Sequence, residues 1–161
     1  MLPNPQNNLS SQANAYLRTR VMTASPEELR MLLLDGAVKF ARQGREGLER
    51  KDQEAAYLGV SQCRNIIFEL MTSVREEVDP ELVANVKALY GFIYKSLVEC
   101  LHEKDLVKLE QMIGLIEYER ETWAMLMQKL AEERAGKPAA TAARPTAAAP
   151  DTTRAPLSVQ G

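Results

Sequence analysis

An all-α fold, an antiparallel up-down four-helix bundle, is predicted by three features of this sequence. Apolar residues recur at three- and four-residue spacing over most of the chain, capping sequences with proline in the first turn mark helix starts, and only short polar stretches separate one helical pattern from the next. Long amphipathic helices joined by short connections must run antiparallel to their neighbours, and no alternating strand pattern competes. The 161 residues suffice for one domain with a substantial core.

The first bundle helix opens at Ser25-Pro26-Glu27-Glu28, where the serine accepts from the amide three residues on, proline fits the first turn and Glu28 reaches back to the cap. Its stripe runs through Leu29, Leu32, Leu33, Ala37, Phe40, Ala41 and Leu48 and ends near Arg50. Lys51 and Asp52 begin the second, with Ala56, Val60, Cys63, Ile67, Leu70 and Val74 at the same spacing. Asp79 and Pro80 cap the third, whose stripe is Leu82, Val86, Leu89, Ile93, Leu97 and Cys100. The fourth starts near Asp105 and carries Leu109, Met112, Ile113, Ile116, Trp123, Leu126, Met127 and Leu130 over about 30 residues, roughly 45 Å.

Residues 25–134 are thus the expected bundle. Residues 1–24 are expected to be a movable cap with one or two helical turns, too short to be stable unless docked. Residues 135–161 change abruptly to Ala, Pro and Thr, with almost no large apolar side chains to bury, and are expected to form a disordered tail.

Net charge is −2, and the 20 basic and 22 acidic residues are interspersed, so no electrostatic footprint for nucleic acid exists. No stretch approaches the roughly 20 apolar residues of a membrane span, and the N-terminus lacks a basic, apolar leader. A cytoplasmic protein without membrane insertion is expected. Cys63 and Cys100 sit on helical patterns among apolar neighbours, as small buried hydrophobes do.

Catalysis has no visible candidate. Glu99 and His102 make one Glu-x-x-His pair, but a di-iron bundle needs two such pairs and further inward carboxylates, and this chain has one histidine. A phosphotransfer histidine sits in mid-helix, whereas His102 stands at a helix end before Glu-Lys-Asp. No phosphate loop, nucleophile elbow or metal-ligand spacing occurs, so neither cofactor nor metal is expected. The third helix does exceed the needs of a bundle. Val83, Tyr90, Tyr94, Val98 and Leu101 form a second stripe beside the core one, which is either a broad core face or a groove for an amphipathic segment of another protein. Tyr16 and Val21 of the N-terminal segment would cover part of that groove when it is vacant.

The stretch from Tyr16 to Ala37, with a valine five residues after the tyrosine, Thr23-Ala24-Ser25-Pro26, Leu29 and Asp35-Gly36-Ala37, resembles the signature of the flagellar secretion chaperone FliS family. The similarity continues through Arg64–Ile67, Glu81–Phe92 and Trp123, covering about residues 14 to 130. Leu34 stands where the family commonly has an aromatic, and Gly91 where it commonly has aspartate. The resemblance implies a non-catalytic helical bundle that binds the disordered C-terminal region of flagellin one-to-one, blocks its polymerisation in the cytoplasm and delivers it to the flagellar export gate. A general helical adaptor for another protein partner is the alternative.

Overall fold

The computed structural model describes residues 5–75 and 79–136, with side chains from Ser10 onward. Five helices follow in order: α1 Pro5–Thr23, α2 Pro26–Glu49, α3 Gln53–Thr72, α4 Pro80–Glu103 and α5 Leu106–Gly136. The starts of α2 to α5 are those the capping residues dictate. Ser25 and Glu28 form a complete capping box, with Pro26 in the first turn. Asp52 accepts from the Ala55 amide, Asp79 from those of Glu81 and Leu82, and Asp105 from that of Lys108. Lys51 and Lys104 turn the chain with φ of 60° and 55°, the left-handed conformation that reverses direction within two or three residues. Lys51 therefore belongs to the turn, and α3 begins at Gln53.

Helices α2 to α5 pack in a ring, α2 against α3 and α5, and α4 against α3 and α5. Cross-helix pairs establish that all neighbours run antiparallel. Along α2 and α5, Asp35 pairs with Arg120, Arg42 with Glu117 and Arg45 with Glu110. Along α3 and α4, Arg64 and Phe68 meet Tyr94 while Met71 meets Gly91. Across α4 and α5, Tyr90 reaches Glu119 and Glu99 reaches Lys108.

The α2/α3 seam is closer than the others because glycine lines it from both sides. A Cβ on Gly59 would lie 2.6 Å from the Gly44 Cα and 2.8 Å from the Phe40 carbonyl oxygen, and one on Gly47 would lie 2.8 Å from the Ala56 Cα. These glycines let the two backbones touch where any side chain would hold them apart.

The core follows the expected α3 stripe through Ala56, Val60, Cys63, Ile67 and Leu70, and the upper half of α5 through Leu109, Met112, Ile113 and Ile116. Elsewhere the stripe is shifted. In α2 the buried side chains are Leu34, Ala37, Val38 and Ala41, while Leu29 and Leu32 are only half-buried. In α4 the expected core residue Leu82 is exposed and its neighbour Val83 is buried. Tyr90, expected on the outer stripe, is 1% exposed with its ring in the core. In α5, Leu126 is exposed because Trp123 already lies level with Glu27 at the start of α2. The last turns of the roughly 46 Å helix have no α2 beside them.

The N-terminal segment is longer than expected. It forms a 19-residue helix rather than one or two turns, and every side chain from Ser10 to Thr23 is exposed, so no docked cap covers the bundle here. Thr19 and Thr23 donate back to the carbonyls of Ala15 and Thr19. The Ala/Pro/Thr tail expected from residue 135 begins later, since Ala135 and Gly136 complete α5. The expected disorder of 137–161 lies outside the described residues.

Candidate partner-binding face

The outer side of the α3/α4 pair carries two parallel rows of side chains. On α3, Tyr57, Ser61, Arg64 and Phe68 are separated by four, three and four residues; on α4, Gly91, Tyr94, Val98 and Leu101 are separated by three, four and three. Antiparallel packing sets the rows side by side. The rings of Phe68 and Tyr94 lie 6.2 Å apart and tilted, and the Arg64 guanidinium stands 5.8 Å from the Tyr94 centroid. Tyr57, Phe68 and Val98 are 59%, 50% and 40% exposed, while Tyr94 and Leu101 are half-buried. Gly91 makes a depression between the rows, since a Cβ there would find only the Met71 Sδ, at 4.0 Å. Aromatic and aliphatic surface at helical spacing, with no described element covering it, is what a groove for an amphipathic segment requires.

Of the residues expected to bind a partner, the fold brings Tyr94, Val98 and Leu101 together on this face. Tyr90 and Val83 are turned into the core instead. Tyr16 and Val21 are exposed on α1, 63% and 47%, apart from the face. Sequence reasoning missed the α3 row, because the strong core stripe of that helix drew attention from Tyr57, Ser61, Arg64 and Phe68; their own spacing was a readable signal.

Tyr90 has a structural task at the opposite side. Arg30 of α2 donates to its hydroxyl at 3.0 Å and lies 5.5 Å from its ring and 5.1 Å from that of Trp123. The Trp123 indole N–H donates to the Glu27 carbonyl at 3.0 Å. Burial pushes the Tyr90 phenol above its ordinary pKa, and the Arg30 charge only partly opposes this. These contacts tie α2, α4 and α5 together beside a cleft of about 520 Å³ lined by Leu29, Leu33, Arg75 and Trp123. A second cleft, about 650 Å³ along α2 and α5, is lined by the ion pairs Asp35–Arg120 and Arg42–Glu117 together with Lys39, Glu46 and Glu121.

Burial raises the Cys63 thiol from an ordinary 9.0 to about 12 and the Cys100 thiol to about 11, so both are core groups and poor nucleophiles. His102 is exposed in the last turn of α4. Among the described residues, no cluster of three or more His, Cys, Asp or Glu side chains is placed to hold a metal ion, and no helix is long and apolar enough to cross a membrane.

The family model described as flagellar protein FliS matches residues 8–130. The chain belongs to the FliS family. It is 30% identical over 122 residues to the flagellar secretion chaperone FliS of Bacillus subtilis, covering 76% of this chain and 90% of that one. It is 28% identical to the protein of the same name from Salmonella typhimurium, covering 75% and 90%, and 26% identical to that of Escherichia coli, covering 69% and 82%. The FliS match takes in most of α1, all of α2 to α4 and α5 through Leu130, and so includes both rows of the α3/α4 face.

Proposed function

We propose that this FliS-family chain is a non-catalytic, cytoplasmic chaperone of flagellar export that binds the C-terminal segment of flagellin one-to-one, prevents its premature polymerisation and delivers it to the export gate. The observation that carries this reading is the α3/α4 face, which no described helix covers: Phe68, Tyr94 and Val98 offer anchors at helical spacing, on a bundle whose matched relatives are flagellar secretion chaperones. A segment that packs against its own kind inside a filament is apolar, and free in cytosol it would aggregate. Covering it with an equally apolar groove removes that surface from water. Ordering the segment forfeits roughly 2 to 5 kcal/mol, which keeps the complex weaker than its area suggests and permits handover without ATP.

Helix α1 fits the role of a movable cap. It leaves the bundle at the start of α2, the end at which α3 stops and α4 begins. Tyr16 and Val21 are then available either to fold across the vacant face or to close over the client.

The test is titration calorimetry of the full chain with a peptide of the C-terminal 50 or so residues of the flagellin encoded by the same genome, a length suited to coupled folding. A one-to-one isotherm with a large negative heat-capacity change is expected. Phe68→Glu and Val98→Glu, both at exposed positions, should abolish it while the helical circular dichroism stays unchanged. No heat, together with no delay of flagellin polymerisation in a sedimentation assay, would refute the proposal.

A further inference from the structure

The α3/α4 face is not uniformly apolar. Arg64 lies in the middle of it, against the Tyr94 ring, with its Nε buried and without a hydrogen-bond partner among the described residues. One turn earlier in the same row, the Ser61 Oγ is buried and has no hydrogen-bond partner among the described residues. Elsewhere on the bundle, arginines of the α2/α5 side are matched: Arg42 with Glu117, Arg45 with Glu49 and Glu110, Arg120 with Asp35, while Arg30 donates to Tyr90. Among the described residues, no carboxylate pairs with Arg64.

An apolar helix laid on this face would remove the rest of the guanidinium from water. Burying a charge without a counter-charge is strongly unfavourable, whereas a carboxylate meeting the guanidinium edge makes a short, charge-assisted, often bidentate pair. We propose, on the basis of the flagellin-segment reading above, that the client segment seated on the α3/α4 face carries an aspartate or glutamate that pairs with Arg64, with Ser61 donating to the same acceptor or to the adjacent backbone carbonyl. The two rows fix the surroundings of that acid. Phe68 and Gly91 lie one turn to one side of Arg64, and Ser61 and Val98 one turn to the other. A helix following the groove therefore places apolar residues three or four positions before and after its acid. Apolar contacts alone would tolerate a slip of one turn along the groove; the Arg64 pair fixes the register.

The experiment is a double-mutant cycle by titration calorimetry, using the full chain and the flagellin C-terminal peptide. Each Asp and Glu of the peptide is changed in turn to its amide, and the set is titrated into the wild type and into Arg64→Gln. Arg64→Gln should weaken binding by about 30-fold or more. One peptide variant should show the same loss against the wild type and no further loss against Arg64→Gln. Arg64→Lys should retain part of the affinity, since it keeps the charge and loses the fork. The peptide variants leave this chain untouched, so they decide the matter even if Arg64→Gln folds poorly. Wild-type binding with no sensitive peptide acid, or losses that add in every pair, would overturn the Arg64 pairing while leaving the groove in place. Absence of binding by the wild type would overturn both readings.

Discussion

Replacing Gly59 by alanine adds one methyl group, and it enters the α2 backbone. The new Cβ would sit 2.6 Å from the Gly44 Cα and 2.8 Å from the Phe40 carbonyl oxygen, where carbon atoms need roughly 3.5 Å or more. No side chain can rotate away, because the obstructing atoms are backbone. The helices must therefore part by about 1 Å, which places the strain at the upper end of the 1–3 kcal/mol typical of overpacking. Alanine recovers about 1 kcal/mol of helix propensity, leaving a net loss of about 2 kcal/mol. For a bundle of this size that lowers the melting temperature by about 10 °C. Gly114→Ala supplies the opposite sign, since nothing lies within 4 Å of its Cβ position, and should stabilise by about 1 kcal/mol. Urea unfolding followed by far-UV circular dichroism measures both. A Gly59→Ala protein as stable as the wild type would show that the α2/α3 backbones are not in contact and would refute the close-packing account.

Tyr90→Phe should lose about 1 kcal/mol with the Arg30 hydrogen bond, while Tyr90→Glu should fail to give a cooperative melt, because it places a charge in the core. Lys104→Gly should stabilise by about 0.5–1 kcal/mol, read as a higher urea midpoint, since φ of 55° strains a lysine and suits glycine. Stability should fall as pH rises above about 9. The folded state raises the Cys63 and Cys100 thiols and the Tyr90 phenol above their ordinary values, so the unfolded chain loses those protons first. Urea titrations between pH 8 and about 11 read this slope, and a flat profile would contradict the burial of these groups.

Helix type and the starts of α2 to α5 were legible in the sequence because they depend on local chemistry, whereas the length of α1 was not. Ser25, Asp52, Asp79 and Asp105 accept from amides within three residues, and prolines at positions 26 and 80 suit a first turn whatever surrounds them. The α3 core stripe was equally clear, since Ala56, Val60, Cys63, Ile67 and Leu70 recur without a break at helical spacing. The family signature, spread over Tyr16 to Ala37, is a property of residue order alone and agrees with the match over residues 8–130.

Which of two adjacent apolar residues turns inward was decided only by the tertiary structure. Leu82 and Val83 are equally apolar, and the axis of α4 relative to α3 and α5 exposes one and buries the other. Tyr90 reads as an amphipathic rim residue until Arg30, sixty positions earlier, arrives to satisfy its hydroxyl inside the bundle. The candidate face exists only because antiparallel pairing sets Arg64 and Phe68 beside Tyr94, so that a row on each helix becomes one surface. Capping and periodicity act over a few residues of one helix and are written along the chain; partners across a bundle depend on how two helices approach, and here glycines 44, 47 and 59 set that approach through side chains they do not have.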